Sequence, residues 1–348
     1  MRRILIVRMS ALGDIVHALP VFSAIRSAMP DADVDWLVDR KYSGILDYVE
    51  GIAQRIPGRP ALSKAVSAMR AREYEVAIDL QGLLKSASMA RLSGAKRVIG
   101  FDRRALRERA AAWFYSETAA PVPGAHVIDK NRSVLPLLGI AVPPVTFPLR
   151  VPDSLVADEV ERRSRSRAAR GFALINPGAA WPNKRWLPDR FGGVAQHLHD
   201  RHGLVSLVLW GSGESHLADA VVAASNQAAE RAPETSLGDL LALSSRAALM
   251  VSGDTGPVHI AAAMGTPIVA LYGPTWPERN GPWDPSDVVI SRAGTCECHH
   301  KRQCLRGRLD AMCINEISVD EVTSAIDRRL STIEASGTGG RDVAREQR

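Results

Sequence analysis

Residues 252–267 read S-G-D-T-G-P-V-H-I-A-A-A-M-G-T-P. The apolar run 247–251 leads into them as a strand, and the small residues that follow Pro257 have the composition of a helix. Between the two lie Asp254, Thr255 and Gly256: an acid, a hydroxyl and a residue with no β-carbon. The amides of a first helical turn have no partners inside the helix, and the helix dipole adds positive potential there. A strand that hands over to a helix in this way predicts an anion site, with Gly256 letting a phosphate approach the backbone. Asp254 or Thr255 acting only as a helix cap is the alternative.

The chain has 348 residues, 46% of them hydrophobic and 24% charged, which suits a soluble protein with two cores. The first apolar run, 4–7, is cut by Arg8, and no run approaches the ~18 apolar residues of a membrane span. A cytoplasmic location is expected. The net charge of +6 points to an acidic partner. Nucleic acid is not expected, because no zinc-finger spacing or RNP-like aromatic motif is present and only 5% of residues are aromatic.

Short apolar runs alternate with helix-length segments, the pattern of parallel sheets in an α/β fold. Strands are predicted over 4–7, 34–38, 76–79 and 97–99, then over 172–176, 205–209, 249–252 and 268–271. Ile15, Ala18, Leu19, Phe22 and Ile25 repeat at helical spacing and predict one helix that Pro30 ends. Pro143, Pro144, Pro148 and Pro152 crowd the segment 141–152, which can continue neither a helix nor a central strand. The expected domains are therefore 1–150 and 151–330, each Rossmann-like, with a flexible polar tail over 331–348.

Ligands of such sheets bind beyond the C-terminal ends of the strands, here in a cleft expected to be shared by the two domains. After 172–176 come Gly178 and Lys184; after 205–209 come Gly211, Gly213 and Glu214, the last suited to ribose hydroxyls. With the segment at Asp254 these make a nucleotide site without a Walker loop or a G-x-G-x-x-G fingerprint. In the first domain, Gly13 and Asp14 follow the first strand. Asp14 is either the N-cap of the helix from Ile15 or a general base for an acceptor hydroxyl, with His17 one turn on.

The run S-A-L-G-D-I-V-H-A-L-P, I-D-L-Q-G-L-L-K-S-A at 78–87, the G-x-x-x-x-x-K-x-W loop and D-T-G-P-V-H-I-A-A-A together resemble the ADP-heptose glycosyltransferases of lipopolysaccharide core assembly, over residues 1 to about 330. The resemblance implies a GT-B type fold and inverting, metal-independent transfer of L-glycero-D-manno-heptose from ADP-heptose, the donor substrate, to a Kdo-lipid A acceptor, with no cofactor. Asp14 then matches the catalytic base, and Gly178, Lys184, Glu214, Asp254, Thr255, Gly256 and His259 match donor contacts. Thr255 and Gly256 suit phosphate oxygens, and Asp254 suits sugar hydroxyls. The first-domain motifs favour the first-heptose enzyme. The cysteine segment looks more like second-heptose relatives, so a second-heptose or other acceptor stays open, as more remotely does a nucleotide-sugar epimerase on the same plan.

An anionic acceptor calls for cations. Between Lys96 and Arg109 lie six bases, Lys96, Arg97, Arg103, Arg104, Arg107 and Arg109, against Asp102 and Glu108. Arg107 falls where the family sets an arginine against the acceptor, and Lys64 and His126 are further acceptor candidates. The same bases would draw the protein to anionic headgroups on the cytoplasmic face of the inner membrane. Finally, Cys296, Cys298, Cys304 and Cys313, with His299 and His300, occupy one segment whose ligand types suit a structural zinc but whose spacing is not that of paired C-x-x-C knuckles.

Overall fold

The computed structural model describes residues 3–59, 62–167, 170–299, 301–307 and 312–335. The chain forms two compact units, 1–151 and 152–348. The first holds β1 (Arg3–Val7), β2 (Asp33–Val38), β3 (Ile52–Pro57), β4 (Val76–Asp79), β5 (Arg97–Phe101) and β6 (Glu117–Ala119). All pair in parallel, in the order β3-β2-β1-β4-β5-β6. The second holds β7 (Phe172–Asn176), β8 (Val205–Val208), β9 (Ala229–Arg231), β10 (Met250–Gly253), β11 (Ile268–Tyr272) and β12 (Val288–Ser291), also parallel, in the order β12-β11-β10-β7-β8-β9. Renumbered from β7, that is the first unit's order again, the doubly wound arrangement of dinucleotide-binding sheets. In each sheet the winding reverses between neighbours, β1 and β4 in one, β7 and β10 in the other. Such switch points are where these folds leave room for ligands.

The central strands are apolar on both faces along most of their length, with polar residues chiefly at their C-terminal ends, as both faces of a parallel sheet are covered by helices. In the second unit Ala173, Ile175, Val251, Val269 and Leu271 pack with Phe191, Val194 and Ile326 on one face. Phe172, Leu174, Met250, Ile268 and Ala270 pack with Leu243 and Val258 on the other. Each such side chain contributes about 1.5–3 kcal/mol when fully buried, so this double packing fixes the sheet's register.

Two helices replace the single one expected after β1. They span Leu12–Val16 and Leu19–Ala28, and the break falls just before Pro20, which has no N–H to continue the first. The proline-rich run stays with the first unit, where Leu149 bridges Val49 and the Arg150 amide reaches the Tyr48 carbonyl at 2.8 Å. At the other end the helix Val319–Ala335 extends past Ser331, the expected start of the tail. Glu334 holds it by an ion pair to Arg170 at 2.6 Å, and Leu330 packs on the core; residues 336–348 of the expected tail lie outside the described residues.

The motif at 78–87 builds the end of β4. Asp79 is buried and accepts from the Tyr115 hydroxyl at 2.8 Å, Ser86 Oγ at 2.9 Å and the amides of Gln81 and Gly82 at 2.9 and 3.2 Å. Burial pushes its carboxyl up despite these donors. Tyr115 reaches it by lying across Gly100, where a β-carbon would stand 2.3 Å from the ring. Gly100→Ala is therefore expected to cost about 1–3 kcal/mol by overpacking, read as a lower urea midpoint; an unchanged midpoint would refute the contact.

Candidate active site

In the second unit β7 and β10 end side by side, Asn176 in register with Ser252. The Asn176 amide ties the two ends, donating towards Ser252 Oγ and Thr255 Oγ1, both at 3.0 Å, and the Gly178 carbonyl at 3.2 Å. Thr255 is the N-cap of the helix Gly256–Ala263, yet its hydroxyl faces Asn176 and caps nothing. Hence the amides of Thr255, Gly256 and Val258 have no acceptor within the helix, while Pro257 has no N–H to orphan.

Asp254, 7% exposed, underlies this helix start. Its Oδ2 accepts from Lys184 Nζ at 2.5 Å and Thr275 Oγ1 at 2.8 Å, and its Oδ1 from Asn280 Nδ2 at 2.8 Å and His259 Nε2 at 3.2 Å. A carboxylate has about four lone-pair sites, and protein donors fill them. Through these bonds Asp254 positions Lys184 and the helix start. Burial alone would raise its carboxyl, but the hydrogen bond from His259 and the Lys184 ammonium outweigh burial and hold it far below the ordinary 3.8.

Lys184 closes the short turn Pro182–Lys184, its ammonium 4.8 Å from the centre of the Trp181 ring. Gly253 admits this turn, since a β-carbon there would meet the Lys184 carbonyl at 2.9 Å. Glu214 lies at the start of the helix Ser215–Ala224 and pairs with Arg185 Nη2 at 3.0 Å, while Arg185 Nε reaches the Ala179 carbonyl at 2.8 Å. A β-carbon on Gly178 would stand 2.3 Å from Glu214 Oε2, so this glycine makes room for the carboxylate.

In the first unit Asp14 is not the N-cap, which is Ala11. It is the third helical residue, and its Oδ2 accepts the Ala11 amide at 3.2 Å. Its Oδ1 pairs at 2.6 Å with Nη2 of Arg8, a buried guanidinium at the end of β1, while Asp14 itself stays 32% exposed. Arg8 is anchored by the Leu80 carbonyl, and the adjacent Met9 amide donates to Gln81 Oε1 at 2.9 Å. His17 is buried and sits edge-on to His126, ring centres 5.7 Å apart. His126 serves as an N-cap, its Nδ1 accepting the Ile128 amide at 3.2 Å.

The basic stretch divides. Lys96 and Arg97 precede or begin β5, and Arg97 is spent on a two-pronged pair with Glu117 at 2.6 and 2.7 Å. Arg103, Arg104, Arg107 and Arg109 follow β5, at the ligand-binding end of the sheet, and are exposed. Glu108 fixes this loop by accepting the Leu84 amide at 2.7 Å, at the start of the helix Leu84–Leu92. Trp113 stands 79% exposed just beyond. Lys64 is exposed on the helix Leu62–Arg70.

Among the described residues one group brings three metal-ligand atoms together. His197, His202 and Asp327 lie together, but Asp327 Oδ1 already accepts from both rings, at 2.7 and 2.6 Å, and so ties the helices Pro188–His202 and Val319–Ala335. The four cysteines are free and form no such group: Cys296, Cys298 and Cys313 are buried and Cys304 packs on them. His299 stacks on Trp276, ring centres 5.1 Å apart, and His300 lies outside the described residues.

Sequence reading missed Arg8, Asn176, Arg185, Thr275 and Asn280. Their only signal is position: Arg8 and Asn176 sit at the ends of strands that flank a switch point.

Two doubly wound parallel sheets with polar clusters at their switch points are the paired Rossmann-like plan of nucleotide-sugar enzymes. Residues 62–309 match the model of glycosyltransferase family 9 (heptosyltransferase), and the chain belongs to that family. Lipopolysaccharide heptosyltransferase 1 of Pseudomonas aeruginosa is 28% identical over 318 residues, 87% of each chain. Lipopolysaccharide heptosyltransferase 3 of Escherichia coli K12 is 29% identical over 344 residues, covering 91% of this chain and 95% of its own. The fold matches the solved E. coli heptosyltransferase WaaC with ADP, with TM-score 0.74 and 24% identity over 94% of this chain and 99% of that one. It also matches E. coli ADP-heptose heptosyltransferase II, with TM-score 0.73 and 21% identity over 96% and 100%.

Asp254→Asn should cost about 3–5 kcal/mol, because Lys184 is left without its buried counter-charge. A carboxyl held below its ordinary value stabilises the fold above that value and loses the contribution as pH falls towards the folded one. The gap between wild type and variant in denaturant titrations should therefore shrink below pH ~4. A gap independent of pH would remove the charge pairing.

Proposed function

We propose that this enzyme is an inverting heptosyltransferase that moves L-glycero-D-manno-heptose from ADP-heptose to a hydroxyl of Kdo-lipid A. The observation that carries the reading is the open helix start at Gly256 beside an ammonium that Asp254 holds in place. The donor diphosphate lies on the amides of Thr255, Gly256 and Val258, and Lys184 offsets the charge that develops as ADP leaves. Glu214, with Arg185 fixing it, takes the adenosine ribose; His259 serves through Asp254. The step is one displacement: the acceptor oxygen bonds to the anomeric carbon, the bond to phosphate breaks with its electron pair going to ADP, and Asp14 takes the hydroxyl proton. Arg8 pairs with the Asp14 carboxylate at 2.6 Å and, with the Ala11 amide, orients it. No divalent cation enters this step, because amides and Lys184 carry the phosphate charge.

Arg103, Arg104 and Arg107 suit the carboxylates and phosphates of the acceptor, with Lys64 and His126 as further candidates. Exposed Trp113 beside these arginines fits peripheral contact with an anionic membrane surface. The first-domain motifs and the Pseudomonas relative support addition of the first heptose. The similar identity of a heptosyltransferase 3 keeps a different core acceptor as the second reading.

Turnover of ADP-heptose with Kdo-lipid A, read as ADP release, tests the assignment; turnover only with an already heptosylated acceptor would move it to the second reading. Asp14→Asn should lower kcat by about 10²–10⁴-fold while ADP affinity is kept. Retained turnover would remove the base. Arg107→Ala should raise the acceptor KM by roughly tenfold, about one charged hydrogen bond, at constant donor KM; an unchanged KM returns the residue to the solvated surface.

A further inference from the structure

We infer that His197, His202 and Asp327 bind one divalent transition-metal ion of the zinc type, which clips the helix Val319–Ala335 onto the helix Pro188–His202. The second of these helices ends in Q-H-L-H-D-R-H, residues 196–202. His197 and His202 are five residues apart, which at 3.6 residues per turn sets their side chains about 140° apart round the axis. Unrelated surface histidines so placed point away from each other. Here the rings lie with centres 5.5 Å apart, at 63°, and turn the same nitrogen to one point. His197 Nε2 stands 2.7 Å and His202 Nε2 2.6 Å from Asp327 Oδ1, and one ligand atom of each residue lies within 4.8 Å of the other two. His199, between them, pairs instead with Asp200 at 3.0 Å. Packing fixes the other side, since Asp327 follows Ile326, which is buried in the core.

The distribution of bonds favours an ion over a plain tie between helices. Both rings spend Nε2 on Oδ1, while Asp327 Oδ2 and both Nδ1 atoms have no hydrogen-bond partner among the described residues. A neutral imidazole carries its proton on either nitrogen. Moving it from Nε2 to Nδ1 on each ring breaks no other bond and gives both Nε2 lone pairs to the ion, with the proton count of the protein unchanged. Metal–ligand bonds of ~2.1 Å at tetrahedral angles hold the ligands about 3.4 Å apart, so Asp327 has to draw back by roughly 0.7 Å. It has room, being 43% exposed, and with the rings 25% and 13% exposed water reaches the fourth position. Two imidazoles and one carboxylate suit zinc, nickel or copper; calcium and magnesium take oxygen ligands.

Asp327 is the middle residue of its helix, which is held near its far end by Leu330 on the core and by the pair between Glu334 and Arg170. The ion adds a fastening halfway along. Its binding does not rest on the transferase reading.

The test uses full-length protein without a histidine tag, stripped with a chelator and titrated with zinc chloride alone. One equivalent should bind at micromolar free zinc, while magnesium and calcium at the same concentration should not bind. With zinc at about 100 times its Kd, amide exchange through opening of the helix 319–335 should slow about 100-fold. His202→Ala and Asp327→Asn should each remove both effects while the four free thiols titrate as in the wild type. Because either substitution could also loosen the helix pair, cobalt in the wild-type chain is the deciding measurement. One equivalent should give the visible absorption of nitrogen and oxygen ligands without the near-ultraviolet band of a cobalt thiolate. A thiolate band, uptake retained in both variants, or saturation only at millimolar zinc would overturn the site. Uptake without slower exchange would overturn the clip.

Discussion

The second unit depends on the Asp254 carboxylate and the donors that converge on it. They come from three separate stretches: the turn at Lys184, the helix at His259, and the loop from Thr275 to Asn280. The helix and the loop follow each other through β11, while the turn comes from the stretch after β7, and one buried charge ties all three together. That charge survives burial because a lysine at 2.5 Å opposes it. The result is an ammonium and a row of backbone amides at fixed places, which is the pre-organisation that stabilising a leaving diphosphate requires.

The first unit solves a different problem. Asp14, proposed above as the base, is a third exposed while its partner Arg8 is buried. The guanidinium comes from the end of a central strand, where packing holds it, and the carboxylate from the first turn of a helix, where the Ala11 amide orients it. Asp79, on the neighbouring strand, is sealed behind Tyr115 and Ser86. Of two aspartates at one switch point, one is buried among protein donors and the other stays partly exposed.

All eight strands expected from sequence are present, and the four not expected, β3, β6, β9 and β12, are the edges of the two sheets. The physical reason is plain. Central strands are buried on both faces and so read as apolar runs, while an edge such as β3, I-A-Q-R-I-P, is largely exposed and carries polar residues. The site shows the same division. Lys184, Asp254 and Glu214 were legible because they follow strands, and Asp14 likewise. What Asp254 does was not, since Thr275 and Asn280 lie some twenty residues further on and meet it only through the fold. Nor could composition separate Arg97, bound to Glu117, from the exposed arginines beyond β5.

Each sheet is completed within its own stretch of chain. The six strands of the first end at Ala119, the proline-rich run bridges back to Val49, and only then does Phe172 open the second. No strand is exchanged, so a ribosome that has released the first 151 residues has released a whole hydrophobic core. That half can close before the other emerges, which shields its apolar strands from the like-patterned strands that follow.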